Sequence, residues 1–238
     1  MTLYKVLGRN GVPQHGGYGT WKLPQDGEPG DWMPELSLPL VPCEHGYHLL
    51  RREHVITWLG PELWVAEGRG DCIECRDKLV WQAARLVRRV TRWNEQTARL
   101  FAADCAERVL AMFERDMPSD DRPRRAIEAT RVFADGRITI DSLAAACAAA
   151  RAAAWAATGA AARAAAWAAT GAAARAAAWA AAGAAAWDAA GAAAWAAAGD
   201  ATGDAAWAAA RAAAWAWQTE QLFSYLDGTE QPRNADNP

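Results

Sequence analysis

Cysteine and histidine side chains cluster in the first third of the chain at spacings that could hold a metal ion. Cys43, His45 and His48 lie within six residues, and Cys72 and Cys75 follow as a CxxC pair. Zinc takes four sulfur or nitrogen ligands, and two short spacings let two loops supply two ligands each. Cys43, Cys72 and Cys75 with His48 or His45 would complete a tetrahedral zinc site. Free cysteines and packed histidines are also common in small cores, so we favour that alternative and expect no cofactor.

The same segment contains side chains that can transfer protons. An enzyme could use His48, His45 or Tyr47 together with a nearby carboxylate. The chain, however, contains no glycine-rich phosphate loop, no nucleophile elbow and no HExxH motif. We therefore expect no catalytic residues and keep an enzyme in the N-terminal region as the second alternative function.

Residues 1–91 are predicted to form a small α+β domain that would position these side chains. Strands are predicted from alternating or continuous apolar runs between turn residues. They lie at Leu3–Leu7, Tyr18–Leu23, Leu63–Ala66 and Leu79–Val90. The last segment could also be a helix. One or two helical turns are expected over Arg52–Leu59, which Gly60 and Pro61 close.

Residues 92–140 are predicted to form two amphipathic helices. Over Trp93–Glu114, apolar side chains recur at intervals of three and four residues, which is typical of a helix with one buried face. A turn follows, and Pro123 fits the first turn of a second helix. Gly136 is expected to end that helix.

Charged side chains gather where these two helices should meet. Asp104 and Arg108 are four residues apart, and we expect them to pair on the side opposite the apolar face. The charged groups could be helix caps and solvated ion pairs, which are individually weak, or they could form a contact surface for a partner. The candidate partner-binding residues are Asp104, Glu107, Arg108, Asp120, Asp121 and Arg122.

Two segments of these helices resemble a known protein family. ARLFAADCAERVL (Ala98–Leu110) and DDRPRRAIEATR (Asp120–Arg131) are similar to the signature of immunity proteins found beside bacterial polymorphic toxins. Members of that family also tend to continue into alanine-rich helices. The PCEHGYHLL and DKLVWQAARLVRR segments resemble an N-terminal domain of unknown function that is fused to such proteins. The resemblance implies a bacterial, cytoplasmic protein that binds and neutralises a toxin, and it supplies no catalytic residues.

An alanine-rich repeat follows, in which almost every fourth residue from Cys147 onward is arginine, tryptophan or glycine. Alanine is the best helix former, so the repeat should be helical. A step of four residues turns the side chains by about 40° around a helix axis. One straight helix cannot hold such a stripe against one neighbour, so we expect several shorter helices. The strongest break is predicted at Gly199–Asp204, with weaker candidates at Thr158–Gly159 and Thr170–Gly171.

The repeat tryptophans are predicted to be buried in the packing of these helices. We expect each indole to fill a glycine notch on an antiparallel neighbour. Trp155, Trp167, Trp179 and Trp215 are also expected to stack on the arginine four residues before them. The residues concerned are Trp155, Trp167, Trp179, Trp187, Trp195, Trp207 and Trp215. An exposed aromatic ladder that binds a partner helix, a nucleic acid or a membrane surface is the alternative.

Charge and composition narrow these alternatives. The net charge of −3 gives no basic footprint for nucleic acid. A membrane span over Ala176–Ala198 would contain Asp188 and no leucine, isoleucine or phenylalanine to offset it. Met1–Val12 has no apolar run of signal-peptide length. We therefore expect a cytoplasmic protein that binds neither nucleic acid nor membrane.

These observations predict an α+β fold with a small β-rich N-terminal domain followed by an all-α domain. The helical domain spans residues 92–227, with amphipathic helices over 92–140, repeat helices over 141–227 and a last helix over Ala205–Leu226. Residues 228–238 form a polar tail that is expected to be disordered. The predicted function is binding of another protein, such as a toxin. The first alternative is a structural protein that self-assembles through the repeat, so a homo-oligomer stays open.

Overall fold

The computed structural model describes residues 1–14, 16–157, 162–169, 192, 193, 195 and 204–229. Side chains of residues 204–207 lie outside this description. Also outside this description are residues 199–203 of the predicted break at Gly199–Asp204, the candidate breaks at Thr158–Gly159 and Thr170–Gly171, Trp179, Trp187, the indole of Trp207, and residues 230–238 of the predicted tail.

Four antiparallel strands form the sheet of the described N-terminal residues. They are β1 (Leu3–Leu7), β2 (Tyr47–Leu49), β3 (Glu62–Glu74) and β4 (Leu79–Arg89), in the spatial order β1-β3-β4-β2. β3 and β4 form a long hairpin, closed by a hydrogen bond of 2.9 Å from the Cys75 N–H to the Lys78 carbonyl. Of the two predicted alternatives for Leu79–Val90, strand or helix, the structure shows a strand, because β4 pairs along its length with β3.

The predicted strand over Tyr18–Leu23 is wrong, because this segment is part of a long loop. Gly17 and Gly19 adopt positive φ angles of 99° and 80°, which interrupt an extended strand. The same loop continues along β4 and occupies the edge that the short β2 leaves open. Backbone N–H groups of Gly30, Met33 and Leu36 donate to the carbonyls of Leu86, Ala84 and Gln82.

Helices pack against one face of the sheet. A 3-10 helix over Arg52–Trp58 confirms the predicted helical turns. Among the described residues, the α-helices with defined bounds are α1 (Glu95–Asp116), α2 (Arg122–Ala134), α3 (Ile140–Ala156) and the C-terminal helix (Asp204–Asp227), and residues 162–169 are also helical. Asn94 begins α1 with a capping box, since its side chain accepts from the Thr97 N–H and the Thr97 hydroxyl accepts from the Asn94 N–H. The predicted amphipathic helices and last helix are confirmed.

One cluster of buried side chains joins the sheet to the helices. From the sheet side it contains Val6, Leu50 and Leu63, and from the helical side Phe101, Phe113 and Phe223. The Trp93 indole lies between them and donates a hydrogen bond of 2.8 Å to the Gly60 carbonyl. Residues on both sides of the predicted domain boundary at residue 91 therefore contribute to one core. The division into two domains stays a prediction.

The rotation predicted for the four-residue repeat is visible along α3. Cys147 is 5% exposed and packs against α2, whereas Arg151 is exposed and the Trp155 side chain is 72% exposed. Each step of four residues turns about 40° away from the core. The helix ends at Ala156, two residues before Thr158–Gly159, the weaker candidate for a break.

The prediction of buried indoles is wrong for two of the described tryptophans. Trp155 is 72% exposed and Trp195 is 59% exposed, whereas Trp167 and Trp215 are partly buried against the main core. The Trp155 ring packs edge-on against Trp167, with centroids 5.9 Å apart. Its described neighbour is thus another indole. Alanine methyl groups are too short to close over a ring that has rotated away from the core.

The arginine–tryptophan contacts connect separate segments. The Arg211 guanidinium lies 5.8 Å from the centroid of the Trp195 ring, and Arg108 lies 4.4 Å from that of Trp217.

Within the described residues, no helix has the length and apolar character that a membrane span needs.

Candidate functional site

Asp104 of α1 is the centre of a buried polar network between three helices. Its side chain is 3% exposed. One carboxylate oxygen accepts from Arg131 of α2 at 2.8 Å. The other accepts from the Gln221 amide and the Tyr225 hydroxyl of the C-terminal helix, each at 2.7 Å. A buried carboxylate needs such charge-assisted bonds to offset its lost hydration, so Asp104 fixes how these helices meet.

Arg131 connects this interior network to the surface through Glu107. Its guanidinium donates to both Glu107 oxygens, at 3.1 and 2.8 Å. Burial acts to lower the pKa of Arg131, but the hydrogen bonds to Glu107 and Asp104 outweigh it and raise that pKa above its ordinary value. The guanidinium therefore stays charged at any pH at which the protein is folded.

The predicted pairing of Asp104 with Arg108 on the outer side of α1 is wrong. Asp104 faces α2 and the C-terminal helix, because Arg131, Gln221 and Tyr225 offer it three donors there. Arg108 is exposed and stacks on Trp217. Asp104 therefore lies inside the protein, while Arg108 and Glu107 reach its surface.

The remaining predicted binding residues lie at the start of α2. Asp120 accepts from the Arg122 guanidinium at 2.5 and 2.8 Å, and these hydrogen bonds lower the pKa of Asp120. Asp121 pairs with Arg125 at 2.7 Å, and it occupies the N-cap position without a side-chain cap bond. These pairs are partly or fully exposed, so each adds little stability and is accessible to a partner.

The structure does not bring the predicted zinc ligands together. No group of three His, Cys, Asp or Glu side chains within the described residues converges on one point. The Cys43 N–H donates to His48 Nε2 at 3.1 Å. Cys72 lies on β3 and Cys75 at the hairpin turn. These positions follow from the long β3–β4 pairing, which places the CxxC pair on a strand and turn.

The other side chains of the CEHGYH segment hold loops in place. The Tyr47 hydroxyl donates to the Pro34 carbonyl at 2.8 Å, and His45 Nε2 lies 2.8 Å from the Ser37 carbonyl. Gly46 allows this close packing, because a Cβ atom there would lie 2.1 Å from Val80 Cγ1. The ring atoms that an enzyme would use therefore contact the loop that covers the sheet.

Two lysines and His48 surround a cavity at the edge of this sheet. The cavity has a volume of about 40 Å³ and is lined by Lys5, Lys78, His48 and Trp58. Lys5 Nζ donates to the His48 carbonyl at 3.1 Å, and Lys78 Nζ lies 4.8 Å from the Trp58 ring centroid. Burial lowers the pKa of Lys5 to about 8. We call this place the lysine pocket.

Acid should destabilise the protein through His48. Burial, helped by the nearby charges of Lys5 and Lys78, lowers the pKa of His48 from 6.5 to about 4. Between these values the unfolded chain binds the proton and the folded protein does not, so stability is lost as the pH falls through this window. Urea unfolding at several pH values should show a steeper loss for the wild type than for His48→Gln. Equal slopes would contradict this prediction.

The protein has an α+β fold in which an antiparallel sheet and a set of helices share one core, and the Asp104 network connects three of those helices. Residues 88–188 match the model of a family described as "Imm-5 like putative immunity protein". This match covers α1, α2 and α3 and confirms the resemblance to immunity proteins predicted from the two helical motifs. Neither the comparison with curated proteins nor that with solved structures found a match.

Several residues of these sites were not predicted from the sequence. Arg131, Gln221 and Tyr225 complete the Asp104 network, yet Gln221 and Tyr225 lie more than one hundred residues from Asp104 in the chain. Lys5 and Lys78 line one cavity because β2 pairs with the start of β4, while Leu50, directly after β2, pairs with Tyr4 of β1. An aspartate within an apolar helical stripe was the one available signal, because such a residue needs a buried donor.

Proposed function

We propose that the protein binds and neutralises a protein toxin through its helical part and that it acts in the cytoplasm. The match of residues 88–188 to an immunity-protein family carries this proposal. Immunity proteins act by stable association, which requires a preformed surface rather than a reaction centre. The shared core and the Asp104 network support it, because they hold α1 and α2 in one arrangement.

The surface that best fits such a partner lies on α2 and α3. The start of α2 presents the ion pairs of Asp120 with Arg122 and of Asp121 with Arg125, and α3 presents the exposed Trp155. Tryptophan and arginine are enriched at the centres of protein interfaces. An exposed indole is also costly to leave in water, so a partner that covers Trp155 would gain binding energy from it.

Replacement of Trp155 by alanine should weaken partner binding without changing stability. Truncation of a tryptophan at the centre of an interface commonly costs about 2 kcal/mol or more, which is roughly a thirtyfold rise in Kd. The tagged protein would first be captured from its source cells, and its bound partner would be identified by mass spectrometry. Binding of the purified partner would then be measured by calorimetry, with unfolding followed in parallel.

Trp195→Ala is the matched control, since Trp195 is also exposed but lies outside the matched residues 88–188. We expect this variant to bind like the wild type. Equal binding by Trp155→Ala and wild type would remove Trp155 from the interface. Recovery of only the protein itself, with a mass that rises with concentration, would contradict toxin binding and favour self-assembly.

A further inference from the structure

Within the described residues, the ammonium group of Lys5 in the lysine pocket has no carboxylate as a counter-charge. Lys5 Nζ contacts the His48 carbonyl at 3.1 Å and the Trp21 ring at 4.9 Å from its centroid. Within the described part of the chain, no carboxylate forms an ion pair with Lys5. A half-buried charge without a partner is costly unless an anion offsets it. The pocket therefore favours a negative group beside Lys5.

A second ammonium increases this preference. Lys78 is 7% exposed and lines the same cavity, and its nearest carboxylate, Asp77, lies 3.7 Å away. Both lysines are close enough to His48 to lower the pKa of that imidazole, so both positive charges lie near the same side chain. A neutral His48 adds no negative charge. The cavity is therefore lined by two ammonium groups, of which that of Lys78 pairs with Asp77.

A wider cleft opens next to the cavity and would hold the rest of a ligand. This cleft has a volume of about 440 Å³ and shares Lys5, His48 and Trp58 with the cavity. Its walls include Trp21 and Tyr47, whose rings pack edge-on with centroids 5.7 Å apart. Aromatic walls around a few convergent polar groups are typical of sites for small organic molecules.

We propose that the lysine pocket binds a small organic anion, whose carboxylate or phosphate lies between Lys5 and Lys78 and whose aromatic or apolar body lies in the cleft against Trp21. The anion completes the environment of Lys5, and the size of the cavity restricts it to one charged group. This site lies on the sheet, apart from α2 and α3. Its test is therefore independent of toxin binding.

Calorimetry with simple probes tests the proposal on the full chain. Phenylacetate carries a carboxylate and phenyl phosphate carries a phosphate, each attached to a phenyl group. Phenylacetamide is the neutral counterpart of phenylacetate. We expect saturable binding of at least one anion and at least about tenfold weaker binding of the amide, because charge-assisted hydrogen bonds are about twice as strong as neutral ones. The tighter of the two anions identifies the charged group.

Two variants assign the binding to the pocket. Lys5→Met keeps most of the unbranched side chain and removes its charge, and we expect it to weaken anion binding at least about tenfold. Lys78→Met should act in the same direction and replaces the first variant if that one does not fold. Lys22→Met removes an exposed lysine and should bind like the wild type. Absence of saturable binding, equal binding of the amide, or unchanged binding by both pocket variants would overturn the proposal.

Discussion

Replacement of Phe223 by alanine is expected to lower the free energy of unfolding by about 3–5 kcal/mol. Phe223 is 1% exposed and joins the C-terminal helix to the sheet side of the protein. Its ring packs edge-on against Tyr4 of β1, with centroids 5.4 Å apart, and the Arg52 guanidinium lies 3.9 Å from its centroid. Truncation would leave a cavity between elements that are far apart in the chain.

Urea unfolding followed by circular dichroism measures this effect. Tyr18→Ala is the control, because Tyr18 is fully exposed and its truncation should change stability by no more than about 0.5 kcal/mol. Since the core spans the sheet and the helices, we expect one transition in which both lose structure together. A loss below about 1 kcal/mol for Phe223→Ala, or a helical transition that leaves the sheet unaffected, would refute the shared core.

The second large effect is expected at Asp104. Its replacement by alanine should lower the free energy of unfolding by about 3 kcal/mol, because removal of one partner leaves buried donors and a buried positive charge uncompensated. Gln221 and Tyr225 would lose their shared acceptor, while Arg131 would keep only Glu107. The same unfolding measurement determines the change.

Asp121→Ala is the matched control for Asp104→Ala. Asp121 also pairs with an arginine, but both members of that pair are more than half exposed. Its loss should cost less than about 1 kcal/mol. Similar losses for the two variants would show that burial of Asp104 adds nothing, and the network would then not hold the helices together.

The amphipathic helices could be predicted because their patterns are local. The apolar spacing in α1, the proline at the start of α2 and Gly136 after its end act within a few turns of one helix. Rotation of the repeat is equally local, since it depends only on helix geometry. For the same reason, the sequence predicted several shorter helices in place of one long helix, with Thr158–Gly159 as a weaker candidate for a break, and α3 ends at Ala156.

The mistaken predictions concern residues whose surroundings come from distant parts of the chain. Tyr18–Leu23 alternates like a strand, but the loop that follows it takes the open edge of β4. Asp104 and Arg108 have the spacing of a surface pair, yet the Asp104 carboxylate is buried and accepts hydrogen bonds from three donors on other helices. Spacing along one helix cannot show which of its faces a later helix will cover.

By itself, the sequence determined the type of protein: an α+β fold, amphipathic helices with an immunity-protein signature, and a repeat that must rotate around its helix. Tertiary structure alone decided which polar groups are buried and which aromatic groups are exposed. Asp104 and Lys5 acquire their partners, and Trp155 its exposure, from the way that sheet and helices pack. Burial and charge pairing depend on contacts between distant segments, whereas helix formation depends mainly on neighbouring residues.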